Sequence, residues 1–156
     1  MIFFPAIDIY QGKCVRLEKG DFEKKTIFNE DPVDQAKYFE EMGCNWIHVV
    51  DLDGAKDGSS SNFNIVEEIS SKTNLKIQFG GGVRSIAKIK SLLAVGIERV
   101  VIGTKAINDI SFLDMACRDF PNKIVIGIDA RKGKVSIEGW TKDSGVNANE
   151  LAINAE

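Results

Sequence analysis

The sequence of 156 residues has little cysteine and histidine, the residues that build zinc sites and disulfide frameworks, and it has no long apolar run. Its three cysteines are scattered and it has a single histidine, which argues against a zinc site or a disulfide frame. No apolar run approaches the roughly 18 residues that a membrane span needs. The apolar start, residues 1–8, lacks the basic flank of a signal peptide. We therefore expect a cytoplasmic protein with reduced thiols and no membrane partner.

Positive charge is also limited. Lys and Arg number 20 against 23 Asp and Glu, which gives a net charge of −3. A nucleic-acid surface needs clustered Lys and Arg, so we expect no nucleic-acid partner. Any anionic ligand must then be held by a few local groups.

Short apolar segments alternate with amphipathic segments along the whole chain. Strands are predicted at 2–9, 46–51, 76–79, 99–102 and 124–129, and helices at 31–42, 62–71, 85–95, 109–119 and 147–154. This alternation predicts an α/β fold with parallel strands and right-handed crossovers. We expect one domain over 1–156 without a linker, and we expect the charged stretch at 18–25 to be a solvated loop.

The ends of the first and fifth strands carry a repeat. Ile, Asp, Gly and Lys match without a gap between residues 7–13 and 128–134, at an offset of 129 − 8 = 121. A unit of that length repeated twice comes close to the roughly 250 residues of a TIM (β/α)₈ barrel. We therefore expect a barrel truncated to about five parallel strands, which is half a barrel plus the start of the second half. Its open edges would favour self-association.

The alternation of side chains along each strand sorts the candidate catalytic groups. Asp8 and Asp129 are predicted to point inward at the ends of the first and fifth strands, which face each other in a closed barrel. Two carboxylates across a cavity mouth can serve as general base and general acid, although either one alone could simply cap a loop. Asp51 is predicted to point inward and to orient substrate or hold a loop, whereas His48 is predicted to pack under the helices.

Two loops are predicted to bind phosphate. Gly-Gly-Gly-Val-Arg-Ser at 80–85 follows the third strand and opens a helix, where free backbone N–H groups and the Arg84 fork suit an anion. The loop at 102–105 follows the next strand and offers Gly103 and the Thr104 hydroxyl. Tight turns are the alternative for either loop. Trp140, on the loop after the fifth strand, is predicted either to close over a ring or to make a small apolar contact.

These segments resemble the ProFAR isomerases (phosphoribosylformimino-aminoimidazole carboxamide ribotide isomerases) of histidine biosynthesis. The resemblance follows the whole chain in order and is carried by PAIDI at 5–9, GKCVRL at 12–17, HVVDLDGA at 48–55, GGGVR at 80–84 and GID at 127–129. It implies a (β/α)₈ barrel that performs an Amadori rearrangement of a bisphosphorylated aminoaldose to an aminoketose. It also implies no metal and no cofactor.

The resemblance implies a role for individual residues. Asp129 matches the general acid that helps to open the ribose ring to a Schiff base, and Asp8 matches the base that removes the C2 proton. Trp140 resembles an aromatic residue on a mobile loop. The phosphate site of the first half matches Gly81, Gly82, Arg84, Gly103 and Thr104. Because the chain ends near the middle of such a barrel, we expect it to be inactive by itself.

Three other interpretations stay open on the sequence. The cyclase subunit of imidazole glycerol phosphate synthase shares the barrel, the paired aspartates and the phosphate loops, but typically has cysteine where this chain has Ala6. A dual isomerase that also serves tryptophan synthesis would carry its discriminating residues largely in the second half. A non-catalytic, phosphate-binding half-barrel is the third, and light scattering with phosphate titration would distinguish it.

Overall fold

The structure is a computed structural model that describes residues 1–18, 20–58, 61–131, 134–137 and 142–154. Its strands are β1 Ala6–Tyr10, β2 Lys13–Glu18, β3 Asp21–Asn29, β4 Trp46–Asp51, β5 Lys76–Gly80, β6 Arg99–Ile102, β7 Ile124–Ile126, β8 Ala130–Arg131, β9 Lys134–Ile137 and β10 Lys142–Asn147. Its helices are α1 Pro32–Glu41, α2 Leu52–Asp57, α3 Phe63–Lys72, α4 Ile86–Ala94, α5 Thr104–Asn108, α6 Ile110–Asp119 and α7 Ala148–Asn154. Trp140 lies outside the described residues.

The main sheet has seven strands in the order β3-β2-β1-β4-β5-β6-β7. Strands β1, β4, β5, β6 and β7 pair in parallel, and helices connect them from β4 onward. The predicted α/β class with a mainly parallel sheet is therefore confirmed. Within the described part of the chain the sheet stays open rather than closing into a barrel.

The edge beside β1 differs from the prediction. Strands β2 and β3 form an antiparallel hairpin that pairs with β1, so this edge of the parallel array is partly covered. The prediction of a solvated loop at 18–25 is wrong, because most of that stretch belongs to β3, where Lys25 pairs with Leu17. The side chains of β3 are nearly all exposed, so its sequence lacks the apolar alternation that marks a half-buried strand.

Short polar side chains start three of the helices close to the predicted positions. The Asp31 carboxylate accepts a hydrogen bond from the Val33 amide at 2.8 Å, and Pro32 occupies the first turn of α1. Ser85 caps α4 and Asp109 caps α6 in the same way. The loops that lead from β5 into α4 and from β6 into α5 leave the same ends of two parallel strands, so they lie at one end of the sheet.

The core lies between one face of the main sheet and its helices. Alternate strand residues are almost fully buried there, and they pack against α3, α4 and α6: Ile7, Ile9, Ile47, Val49, Ile77, Phe79, Val100 and Ile102. The intervening strand residues point to the opposite face, which would line the interior of a closed barrel. That second face carries the candidate site.

The last described segments form a separate antiparallel sheet in the order β10-β9-β8. The sequence prediction missed this sheet, as well as the short helices α2 and α5. Among the residues described, no helix has the length and apolar character needed to cross a bilayer.

Candidate functional site

A cavity of about 290 Å³ opens where β4, β5, β6 and β7 end. It lies on the sheet face opposite the core, and residues from several successive strand ends contribute to it. Six of the residues that the sequence singled out line this cavity: Gly81, Gly82, Arg84, Gly103, Thr104 and Asp129. The two glycine loops therefore meet at one site, and one of the two candidate catalytic carboxylates lies beside them.

The glycine loop after β5 is pressed against the start of α2. Gly81 and Gly82 have positive φ values of 106° and 68°. A Cβ atom on Gly81 would lie 2.1 Å from the carbonyl oxygen of Asp51, and one on Gly82 would lie 2.5 Å from that of Gly54. Only glycine fits such an approach of two backbones. The resulting stretch of backbone without side chains borders the cavity.

The second loop is open where the first is tight. Gly103 has an ordinary φ of −97°, and a Cβ atom there would meet nothing within 4 Å. Gly103 therefore leaves space in the cavity instead of permitting a close contact. Thr104 follows it at the start of α5 and also lines the cavity.

Two cationic side chains line the cavity, Arg84 and Lys105. The Arg84 guanidinium donates a long hydrogen bond of 3.4 Å to the Ala55 carbonyl, which holds it beside α2. Lys105 lies 2.8 Å from the Asp109 carboxylate, and this hydrogen bond lowers the pKa of Asp109. Lys105 was missed as a site residue, although its place directly after Gly103-Thr104 at a strand end could have indicated it. Both cations suit an anionic ligand.

The predicted orientation of the β4 side chains is wrong. Ile47, Val49 and Asp51 lie on the core face and are at most 1% exposed, whereas His48 lines the cavity. Both faces of β4 carry apolar residues, so alternation by itself could not assign them. The register settles the sides, because His48 pairs with Ala6 and Val49 pairs with the buried Ile7.

Asp51 lies behind the glycine loop and is not part of the cavity lining. Its carboxylate caps α2 by accepting a hydrogen bond from the Gly54 backbone amide at 3.0 Å, and it also accepts one from the Asn62 side-chain amide at 2.6 Å. Burial raises the pKa of Asp51, and these two hydrogen bonds oppose the rise. The structure thus gives Asp51 a loop-holding position, the second of its two predicted roles, and does not bring it to the cavity where it would orient substrate.

Asp8 and His48 lie on the cavity face of neighbouring strands. Burial raises the pKa of Asp8, while the nearby charges of His48 and Arg16 oppose the rise. Burial lowers the pKa of His48, whose Nδ1 lies 3.3 Å from the Gln78 side-chain amide. Because a side-chain amide nitrogen can only donate, Nδ1 is the acceptor in this contact.

The two candidate catalytic carboxylates lie at opposite ends of the parallel array. Asp8 is on β1, and Asp129 follows β7. Both belong to the face that would enclose the barrel interior. The acid and base roles assigned to them remain predictions.

Replacing Asp8 by asparagine is expected to stabilise the chain at pH 7. Because the folded pKa of Asp8 is above its ordinary value of 3.8, the folded state binds more protons between those two values, and stability falls as the pH rises through that window. Asp8→Asn removes the unfavourable free energy of a buried, ionised carboxylate. The variant should therefore be more stable than wild type at pH 7, and this difference should fade well below pH 3.8. Urea unfolding at several pH values measures the effect, with exposed Asp114→Asn as the surface-charge control. A wild-type chain more stable than Asp8→Asn at pH 7 would contradict it.

The parallel α/β sheet has a cationic, glycine-lined cavity at the carboxyl ends of its strands. This arrangement is typical of the (β/α)-barrel class, whose phosphate ligands bind at that end. A family model described as histidine biosynthesis protein matches residues 2–156, and the chain belongs to that family. The family has the TIM-barrel fold, so the predicted fold class is confirmed.

Curated relatives share this sequence over its whole length. Proteins from Brucella ovis, Brucella canis and a Chelativorans strain are each 49% identical over 156 residues. All three are called 1-(5-phosphoribosyl)-5-((5-phosphoribosylamino)methylideneamino) imidazole-4-carboxamide isomerase. The alignments cover 100% of this chain and 64% of each relative, so the chain spans just under two thirds of their length. The resemblance to the ProFAR isomerases is thereby confirmed.

Proposed function

We propose that this chain provides one phosphate site and both acid–base carboxylates of an aldose–ketose isomerase that converts ProFAR to its phosphoribulosyl isomer. The observation that carries the proposal is the convergence of two glycine loops, two cations and Asp129 on one cavity. The names of the relatives, which are 49% identical, support the same reaction.

The proposed chemistry needs two proton carriers. Asp129 protonates the ribose ring oxygen, the C1–O bond breaks, and the nitrogen lone pair forms a Schiff base at C1. Asp8 then removes the C2 proton, and the electrons of that bond shift to make an enolamine. The C2 hydroxyl then loses its proton to form the C2 carbonyl, while the electrons of the C1–C2 double bond take up a proton at C1, and this completes the aminoketose. Burial of Asp8 raises its pKa, which makes it a stronger base than an exposed aspartate.

The proposed substrate carries two phosphates, of which this cavity binds one. Arg84 and Lys105 supply positive charge, and the backbone of Gly81 and Gly82 borders the cavity without side chains. The open space at Gly103 leaves room for the phosphate oxygens. The second phosphate would be held by the part of the isomerase barrel that the relatives have and this chain does not cover. We also place the protein in the cytoplasm, an assignment supported by its three free cysteines, Cys14, Cys44 and Cys117.

The direct test of the reaction uses a completed barrel. Residues 1–156 are joined to the part of the Brucella ovis relative that this chain does not cover, and the product is assayed with ProFAR by chromatography. The proposal expects conversion to the aminoketose. Turnover only in the cyclase reaction that follows, or none in a folded chimera, would overturn it.

Filling the cavity at Gly103 is expected to weaken phosphate binding without unfolding the chain. Gly103→Val adds carbons where a Cβ atom meets nothing within 4 Å, so they displace ligand rather than protein. Titration of residues 1–156 with inorganic phosphate, followed by the amide resonances of Gly81 and Gly82, should show a loss of affinity of about tenfold. Ala94→Val, at an exposed site near the far end of α4, is the matched control. Equal affinity in Gly103→Val and wild type would contradict the site.

A further inference from the structure

Asn62 is an almost fully buried polar residue with an unexpected set of partners. It directly precedes α3, yet its side chain makes no capping hydrogen bond to that helix. It is 2% exposed, and its amide nitrogen donates to the Asp51 carboxylate at 2.6 Å and to the Asp53 carboxylate at 2.8 Å. These two carboxylates satisfy the hydrogen-bonding capacity of the Asn62 amide nitrogen, which allows the side chain to be buried.

Each of the two carboxylates also holds a backbone segment. Asp51 accepts from the Gly54 amide at 3.0 Å, at the start of α2. Asp53 accepts from the Gln11 amide at 2.7 Å, in the turn between β1 and β2. The Asn62 amide thus joins the segment before α3 to the start of α2 and, through Asp53, to the β1–β2 turn, which is distant in sequence and closely follows Asp8.

The same segments support the glycine loop of the cavity. The backbone of Gly81 packs on the Asp51 carbonyl and that of Gly82 packs on the Gly54 carbonyl, at separations that leave no room for a Cβ atom. Because these contacts are between backbones, a shift of α2 moves the glycine loop with it. The position of the first turn of α2 therefore sets the shape of one wall of the cavity.

The chemistry of the amide group suits this place. A side-chain NH₂ group has two hydrogens, so it can serve both carboxylates at once, whereas an aspartate there would add a third negative charge. Burial raises the pKa of Asp51, and the charge of Asp53 adds to the rise, so the pair repels when both are ionised. The bridging amide offsets that repulsion.

We propose that Asn62 is a positioning residue for the phosphate cavity, which holds α2, and through it the glycine loop, by bridging Asp51 and Asp53. It does not line the cavity, so it acts through the backbone and not on the ligand. The inference rests on the proposed function, because it assumes that the cavity binds phosphate.

The test compares a substitution of Asn62, directly before α3, with one of Ile69, within the same helix. Asn62→Leu keeps the branched shape and the number of side-chain heavy atoms but removes both hydrogen bonds. Ile69→Val removes one methyl group from a fully buried residue of α3 and leaves the carboxylates unchanged. Both are expected to lower the unfolding midpoint. Each variant is titrated with inorganic phosphate at a temperature where it is fully folded, and the amide resonances of Gly81 and Gly82 are recorded without ligand.

The inference expects Asn62→Leu to bind phosphate about fivefold or more weakly and to shift the Gly81 and Gly82 resonances, while Ile69→Val stays within about twofold of wild type. If Asn62→Leu does not fold, Asn62→Ser decides by the same comparison. A folded Asn62 variant with wild-type affinity would overturn the inference and leave the proposed function intact. A wild-type chain that binds no phosphate would instead overturn the proposed phosphate site, and the inference with it.

Discussion

Replacing Asp129 by asparagine in the completed barrel is expected to reduce turnover of ProFAR by about a hundredfold or more. Asparagine has nearly the same shape but cannot deliver a proton to the ribose ring oxygen. Asp129 lines the cavity beside both glycine loops, so the substitution removes an acid from the reacting end without disturbing the core. Steady-state kinetics with ProFAR measure the loss, and circular dichroism checks the fold.

Asp8→Asn is expected to reduce turnover to a similar extent, because asparagine cannot accept the C2 proton. A structural defect would also weaken phosphate binding, whereas phosphate affinity should stay near the wild-type value in both variants. Asp114→Asn, at an exposed position of α6, is the matched control and should leave turnover unchanged. Near-normal turnover in either active-site variant would refute the role assigned to that residue.

Gly81→Ala is expected to be among the most destabilising single-methyl changes in this chain. The new Cβ atom would lie 2.1 Å from the Asp51 carbonyl oxygen, at a φ of 106° that side chains rarely adopt. Because both partners are backbone, neither can rotate away, and the loop must separate from α2. We expect a loss of about 2–4 kcal/mol in the free energy of unfolding.

Gly103→Ala is the matched control for that prediction. It adds the same methyl group to the neighbouring loop, where φ is −97° and nothing lies within 4 Å. Urea unfolding of both variants isolates the effect of backbone crowding from that of losing a glycine. Equal stability of the two variants would show that the contact between the glycine loop and α2 is not as close as the structure has it.

Local signals in the sequence were enough to predict the parallel part of the fold. Asp31-Pro32, Ser85 and Asp109 begin helices because their side chains satisfy free amides, and the strands between them are short and apolar. The hairpin was missed because β3 is exposed along nearly its whole length, so no apolar face marks its period of two. Its stability depends on pairing with β2, which local sequence does not reveal.

The candidate site was predictable to a similar degree. The glycine loops and both aspartates stand at strand ends, and parallel strands bring such ends together. The sequence prediction placed His48 and Asp51 on the wrong faces of β4 because both faces of that strand are apolar. The register of β4 with β1 determines the correct faces. The bridging role of Asn62 could not be predicted either, since it depends on three segments that meet only in the folded chain.

The most direct test of the central claim is a crystal structure of the completed barrel with a phosphorylated aminoketose bound. The account predicts one phosphate between the loop that contains Gly81 and Gly82 and the loop that contains Gly103. It also predicts the Asp8 and Asp129 carboxylates on opposite sides of the sugar, each within hydrogen-bond distance. A sugar bound elsewhere, or either carboxylate turned toward the helices, would contradict it.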